Sequence, residues 1–418
     1  MSFRKKTIRD MDVAGKTVLM RVDYNLPQDE NGVVTDDLRI RESLGTIRGL
    51  FDAGAAKIVL MAHLGRPDGE WNEKYTLKPV FERLAGLLDG PAVFLAQNIE
   101  TEGAELRAEV DGVERGSLVL LENIRFYAAE ELKGKTEEEA ARRREFAEKI
   151  VAATGAEVFV MDCFGVAHRN HVSISEMNEI LPGAAGLLVE KEVETIEGVM
   201  SAPKRPLVAI VGGAKIGDKI EVMKRLVEMA EVVVIGGAMA NTFLKYEGKA
   251  VGKSLVEEGQ DEVIAGILGL ADEMERRVIL PVDVVVAKEV GAGAEASVKS
   301  VDEVAEDDLI LDIGFRTREE ITEVIAGAGT VVWSGTLGLT EYEQFAGGSE
   351  AVIRAVLANN DLETVIGGGD TGGFAEGYRR LHGEEFTGSS LHISTGGGAS
   401  LEVIEGKKLP GVEALEDR

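Results

Sequence analysis

The residues best suited to chemistry in this chain stand where apolar runs end. In Leu207–Lys219, LVAIVGGAKIGDK, an apolar run stops at Gly212 and Gly213, Lys215 follows, and Lys219 leads into a segment with Ile220, Met223 and Val227 at helical spacing. The pattern predicts strand, glycine turn and helix. Glycine lets a backbone come close to a ligand, and a helix start attracts anions. Two lysines beside such a turn suggest phosphate; the alternative is a tight turn with surface lysines. The stretch is not a Walker A loop. Gly212 and Gly217 have its gap, but Asp218 displaces the lysine by one place and no Ser or Thr follows. Glycines end other apolar runs of the second half: Gly236–Gly237, Gly367–Gly368–Gly369 and Gly396–Gly397–Gly398. In the first half the matching positions carry Arg21–Asp23–Tyr24–Asn25, His63–Leu64–Gly65–Arg66, Glu122–Asn123–Ile124–Arg125, and Asp162 leading to His168–Arg169; Arg39, after Asp36 and Asp37, is expected just before a helix. One half suits a small, multiply charged anion gripped by side chains. The other suits a larger phosphate ligand approached by backbone. For any single arginine a surface ion pair is the alternative; repetition at successive strand ends argues for a site.

The elements that must position these residues alternate along the chain. Strand-length runs are Val18–Val22, Lys57–Ala62, Leu118–Asn123, Val158–Asp162, Leu207–Val211, Val232–Gly236, Val278–Ala287, Thr330–Gly335, Thr364–Gly369 and Leu391–Gly398. Between them lie amphipathic segments, one with Ile40, Leu44, Ile47 and Phe51 on a face, one with Phe146 and Ile150 behind a capping box of Thr136 and Glu139. A long helix carries Val189, Val193, Ile196 and Met200 on one face, and SAPKRP (201–206) ends it, because Pro203 and Pro206 cannot continue a helix. Repeated strand–helix units imply parallel sheets covered by helices, with ligands bound outside the carboxyl ends of the strands.

Length and composition set the outer limits. A chain of 418 residues with 44% hydrophobic residues predicts about two to three domains with substantial cores. A net charge of −28 argues against nucleic acid and against an anionic membrane surface as partners. One cysteine, Cys163, excludes an intramolecular disulfide framework and a multi-cysteine metal site. No apolar run approaches the ~20 residues of a membrane span, and MSFRKKTIRDMD has no apolar core for a signal peptide; a cytoplasmic protein is the expectation.

Taken in order, RVDYNLP (21–27), DDLRI (36–40), HLGRP (63–67), LLENIRF (120–126), DCFGVAHRNH (162–171), GGAKIGDKI (212–220), GGAMANTFL (236–244), GGGDT (367–371) and STGGGASLE (394–402) resemble the motifs of the phosphoglycerate kinase family across nearly the whole chain. The resemblance implies an α/β protein of two Rossmann-like lobes, each a parallel sheet flanked by helices, joined by a hinge helix. Residues 1–184 would form a 3-phosphoglycerate lobe to which 403–418 return, 185–205 the hinge helix and linker, and 206–402 the nucleotide lobe. The implied reaction is reversible phosphoryl transfer between MgATP and the carboxylate of 3-phosphoglycerate, giving 1,3-bisphosphoglycerate and MgADP, by a cytoplasmic monomer.

Carried over by motif, Asp23 and Asn25 contact the glycerate chain, Arg39 lies by the carboxylate and the migrating phosphoryl group, and His63, Arg66, Arg125 and Arg169 hold the 3-phosphate. Lys215 stabilises the migrating group, Lys219 contacts nucleotide phosphate, and Gly213 and Gly237 line the adenine pocket. Glu341 binds the ribose hydroxyls, Asp370 ligates Mg²⁺, Thr371 sits beside the phosphates with Gly368 and Gly369, and Gly369 and Gly397 approach the transferred group. The chain departs from the family pattern at Ala238, Phe315, Ser334, Thr336 and Thr340, most of them expected in or near the nucleotide pocket, and at Cys163. The acceptor carboxylate is already a nucleophile at neutral pH, so His63, His168 and His171 are given no general-base role. Rival readings are a nicotinamide dehydrogenase on Gly291–Ala296, a zinc hydrolase on His168 and His171, and a nucleotide-binding scaffold without turnover.

Overall fold

A computed structural model of the chain describes residues 3–383 and 390–418. It divides into two compact units, Met1–Glu194 with Lys408–Arg418, and Thr195–Lys407. The helix Leu187–Ser201 contains the division point.

The first unit holds β1 (Thr17–Val22), β2 (Lys57–Met61), β3 (Ala92–Leu95), β4 (Ser117–Leu121), β5 (Val158–Asp162) and β6 (Gly183–Ala185), in the order β3-β4-β2-β1-β5-β6. All pairings are parallel; Val18, for example, is in register with Ile58 and Val158. β2, β4 and β5 are buried along their whole length, which is why they read as unbroken apolar runs. Val18, Met20, Ile58 and Leu60 pack with Ile40, Leu44, Ile47 and Leu50 of the helix Leu38–Asp52. Arg39 is the second residue of that helix rather than a residue before it. The Asp36 carboxylate accepts the Leu38 N–H at 2.8 Å, and the helix begins there, two residues ahead of Ile40, the first residue of its apolar face. Thr136 caps the helix Glu137–Thr154 by accepting the Glu139 N–H, but the Glu139 carboxylate reaches the Lys135 N–H instead of closing the capping box. The C-terminal segment docks in this unit, where Gly411 N–H donates to Ala167 O at 2.9 Å and Lys6 N–H to Glu416 O at 2.8 Å.

The second unit contains two sheets. The larger is parallel, order β15-β14-β13-β7-β8-β9, built from β7 (Leu207–Val211), β8 (Val232–Ile235), β9 (Arg277–Ile279), β13 (Thr330–Ser334), β14 (Glu363–Gly367) and β15 (Ser390–Ile393). The smaller is antiparallel, order β11-β10-β12, from β10 (Asp283–Ala287), β11 (Ser297–Ser300) and β12 (Leu309–Ile313). The run Val278–Ala287, expected as one strand, is therefore two strands in different sheets. Pro281 interrupts it, because proline has no N–H for a ladder. Trp333, Val331, Ile210 and Val208 form the core of this unit with Ile321, Ile325, Val352 and Ile353 from the helices Phe315–Ala326 and Gly347–Ala358.

Candidate active site

Each six-stranded sheet has a topological switch point, between β1 and β5 in one unit and between β7 and β13 in the other. Chains leaving adjacent strands there diverge to opposite faces and open a crevice. Most of the residues singled out from sequence follow the carboxyl ends of strands in these two sheets.

In the first unit, Asp23 follows β1 and is 7% exposed, with its carboxylate 2.9 Å from Arg39 Nη1. The same Nη1 donates to Asn25 O at 3.2 Å, while Asn25 Oδ1 accepts the Gly65 N–H at 2.9 Å. Arg125, after β4, donates from Nη1 to Gly65 O at 2.9 Å and pairs with Glu131 at 3.1 Å. These bonds tie the turns after β1, β2 and β4 into one floor. His63 is buried beneath it, 3.3 Å from the Arg21 guanidinium. Arg66 and Arg169 are exposed and have no ion pair among the described residues. In a chain with 74 acidic residues against 46 basic ones, arginines left without a carboxylate beside such a floor are suited to an incoming anion.

The histidines are held neutral. Burial, then the charges of Arg21, Arg125 and Arg39 and of His171, push His63 well below the usual histidine range. Burial pushes His168 down to about 4, with Arg169 adding to it, and His171 down to about 3, with Arg125, Arg21, Arg169 and Arg143 adding to it. At neutral pH these rings are hydrogen-bond partners without charge.

In the second unit the turns interlock. Gly212 N–H donates to Ser334 O at 2.9 Å, Gly213 N–H to Thr336 O at 3.1 Å, Gly237 N–H to Leu337 O at 3.1 Å, and Met239 N–H to Gly213 O at 2.9 Å. Gly237 has φ +63°, and a Cβ there would lie 2.6 Å from Gly213 N and 2.8 Å from Gly213 O and Thr336 O. Only glycine fits that approach. Gly213 and Gly237 thus lie together with the backbone of Gly335–Leu337. Lys219 Nζ reaches back to Gly212 O at 2.9 Å, Ser334 O at 3.0 Å and Ser334 Oγ at 3.2 Å, so the serine at this unusual position is met by a lysine. Lys215 is exposed on the same turn, with no side-chain hydrogen bond or ion pair among the described residues.

Gly368 precedes, and Gly369 begins, the helix Gly369–Leu381, whose first turn presents Asp370 to solvent. Thr371 is buried, and its hydroxyl oxygen accepts the Gly335 N–H at 2.6 Å, which ties the ends of β13 and β14. Gly397 precedes the helix Gly398–Ile404, and positions 369 and 397 both face open space. Glu341 is exposed in the loop after β13, where Leu339 N–H pairs with Leu311 O at 2.9 Å. Phe315, expected near the nucleotide, is 63% exposed in a groove with Arg318, Thr322, Gly347 and Arg354; that groove contains none of the glycine turns. Among the described residues no group of three or more His, Cys, Asp or Glu could cage a metal, as a zinc hydrolase would need.

The comparisons with known proteins bear on the whole of this arrangement. The family model for phosphoglycerate kinase matches residues 8–407. The chain belongs to the phosphoglycerate kinase family. The phosphoglycerate kinase of Dictyoglomus turgidum is 44% identical over 99% of this chain and 100% of its own, and that of Pelotomaculum thermopropionicum is 44% identical over the same shares. The crystal structure of phosphoglycerate kinase from Pyrococcus horikoshii OT3 superposes with a TM-score of 0.82 at 30% identity over 98% of both chains. The structure of the Coxiella burnetii enzyme gives 0.79 at 32% identity, again over 98% of both. The two parallel six-stranded sheets match the fold of these phosphoglycerate kinases, and the chain is a phosphotransferase of that glycolytic family.

Arg21 was named from the sequence at a strand end, inside the apolar run VLMRV, but was given no role of its own. Glu257 carried no signal in the sequence: its carboxylate accepts the N–H groups of Ile216 at 2.6 Å and Gly217 at 3.1 Å and so holds the Lys215 turn from 40 residues away.

Proposed function

We propose that this kinase transfers a phosphoryl group reversibly between MgATP and the carboxylate of 3-phosphoglycerate, with the acid held by the first unit and the nucleotide by the second. The observation that carries the reading is the division of chemistry between the two switch points: arginine, histidine and asparagine side chains at one, interlocked glycine backbone with lysines at the other.

Arg66, Arg125 and Arg169 hold the 3-phosphate with His63, and Asp23 and Asn25 orient the glycerate chain. Asp23 also anchors Arg39 through Nη1, leaving Nε and Nη2 free of hydrogen bonds to the chain among the described residues. Those donors face the carboxylate and the group in transit. Because the carboxylate is a nucleophile at pH 7, positioning and charge stabilisation replace proton transfer, in keeping with three neutral histidines. Lys215, as a compact, exposed charge on the turn after β7, follows the migrating group, and the backbone amides near Gly369 and Gly397 supply fixed dipoles. Gly213 and Gly237 line the place of the base, Glu341 takes the ribose hydroxyls, and Lys219, Gly368 and Thr371 shape the phosphate end. Thr371 acts through the backbone of Gly335.

Asp370 is a single exposed carboxylate at a helix start, which fits Mg²⁺ because that ion takes one or two carboxylates and completes its shell with phosphate oxygens and water. The bound ion would neutralise charge on the nucleotide phosphates. The helix Leu187–Ser201 is the proposed hinge, since transfer requires the two ligands to meet with water excluded. We place the enzyme in the cytoplasm as a monomer; no helix among the described residues is long and apolar enough to cross a membrane.

The test is a coupled assay with 3-phosphoglycerate, a panel of nucleoside triphosphates, and Mg²⁺ present or withheld. ATP-dependent, Mg²⁺-dependent turnover is expected. Nucleotide binding without transfer to 3-phosphoglycerate would overturn the proposal in favour of a scaffold.

A further inference from the structure

We propose that Arg21 is a positioning residue that fixes His63 as its Nε2–H tautomer, so that His63 meets the acid substrate as a hydrogen-bond donor. The inference rests on the placement of His63 in the acid site given above, and adds a control that sits behind it.

Arg21 is the last-but-one residue of β1, and it is wholly buried, an uncommon place for a guanidinium. Its Nη2 lies 3.3 Å from His63 Nδ1. A guanidinium has five donors, no acceptor, and keeps its proton at any working pH. Nδ1 must therefore offer its lone pair. In a neutral imidazole the single proton then sits on Nε2, which makes no hydrogen bond to the chain among the described residues. Neutrality follows from burial and from the cations around the ring: Arg21 on β1, Arg125 after β4, Arg39 on the helix Leu38–Asp52, and His171 after β5.

Arg21 is itself immobilised. Nη1 donates to Val22 O at 2.8 Å and to Met61 O at 3.2 Å, and Nε donates to Ser173 Oγ at 2.8 Å. Ser173 Oγ donates onward to Glu130 Oε1 at 2.6 Å, and Ser173 N–H to Glu130 Oε2 at 2.9 Å. Glu130 is buried and lies within the field of Arg21 and Arg125. Along Glu130, Ser173, Arg21 and His63 the donors run outward from Arg21, to Ser173 and Glu130 on one side and to His63 on the other, and bonds in such a connected network strengthen one another. The alternative tautomer would turn an Nε2 lone pair on an incoming phosphate oxygen, which is an acceptor only. Selecting Nε2–H removes that repulsion and supplies a donor without adding a fourth full charge to the three nearby arginines.

The experiment uses the full chain labelled with ¹⁵N in its five histidines, with His63 assigned from the His63→Gln variant and long-range ¹H–¹⁵N correlations recorded across pH 6 to 8. The expected result is one unprotonated Nδ1 and one protonated Nε2 for His63 throughout, with the Nε2 signal shifting when 3-phosphoglycerate is added. In Arg21→Gln, whose amide can donate or accept, both tautomers are expected. KM for 3-phosphoglycerate should rise by about tenfold or more, the loss of one good hydrogen bond to a charged group, while KM for ATP stays within about twofold. Arg21→Lys, a donor only, should restore the single tautomer. Should Arg21→Gln not fold, Ser173→Ala frees Nε while Nη1 still holds the guanidinium on Val22 O and Met61 O; the single Nε2–H tautomer should then persist, and an Nδ1–H population in that variant overturns the inference. An Nδ1–H tautomer in the unaltered protein overturns the inference whether or not the acid binds. A pure Nε2–H tautomer with unchanged KM in Arg21→Gln overturns the role of Arg21. An Nε2–H ring that ignores 3-phosphoglycerate overturns the placement of His63 instead.

Discussion

Replacing Gly237 by alanine tests the nucleotide half of the site with a single methyl group. The residue sits at φ +63°, where a non-glycine residue pays about 1–2 kcal/mol. The new Cβ would also stand 2.6 Å from Gly213 N and 2.8 Å from Gly213 O and Thr336 O, all backbone atoms that cannot rotate away. Moving backbone to relieve overpacking costs roughly 1–3 kcal/mol more. The sum is on the order of 2–5 kcal/mol, a large share of the roughly 5–15 kcal/mol that holds an ordinary protein together. The displaced groups are the Gly213 N–H bonded to Thr336 O and the Gly213 O bonded to Met239 N–H, so the turn proposed to line the base moves with them. Urea unfolding, nucleotide titration calorimetry and steady-state kinetics read the effect together. Expected are a stability loss in that range, nucleotide affinity lower by about tenfold or more, and KM for 3-phosphoglycerate changed by less than about twofold. Ala238→Gly is the control, since Ala238 has no positive φ; it should cost no more than about 1 kcal/mol through helix propensity. If Gly237→Ala keeps its stability within about 0.5 kcal/mol and binds ATP normally, the close approach of these turns is not what shapes the pocket, and the reasoning fails.

Lys215→Ala should lower kcat by about 10²- to 10³-fold through lost charge stabilisation while the unfolding curve stays in place, because the side chain has no partner among the described residues to lose; near-normal turnover refutes its role. Arg66→Ala should raise KM for 3-phosphoglycerate by about tenfold to a hundredfold and leave KM for ATP alone; an effect confined to ATP would mean the ligands are assigned to the wrong units. Asp162, at the end of β5, accepts the N–H groups of Leu188 at 3.0 Å and Val189 at 3.2 Å. Burial pushes its carboxyl up from 3.8 to about 7, against the hydrogen bonds of Thr46, Val189 and Leu188. The folded state therefore keeps a proton that the unfolded chain releases, and this group's contribution to stability is lost as pH rises from about 4 to about 7, by on the order of 4 kcal/mol. Asp162→Asn should flatten that fall when unfolding is followed at pH 5 and pH 8; identical pH profiles count against a buried neutral acid.

Much of the arrangement was legible from local pattern. Strands buried on both faces must be apolar throughout, and glycine must stand where two backbones cross, so Leu207–Gly213 and Val232–Gly237 announced both an element and its end. The ordered motifs told the family before any coordinate did. Where local pattern is ambiguous, it misled: Val278–Ala287 reads as one strand because periodicity records burial and not which sheet does the burying. The tertiary structure alone decided the partners. Ser173, 152 residues from Arg21, and Glu257, 40 from Gly217, enter the site because sheet topology returns distant segments to one edge. Nothing in their neighbouring residues distinguishes them from surface polar groups. A side chain's chemistry is written in its own residue, but its charge state, tautomer and aim are set by what the fold packs against it, and those neighbours are brought together only by long-range pairing of strands.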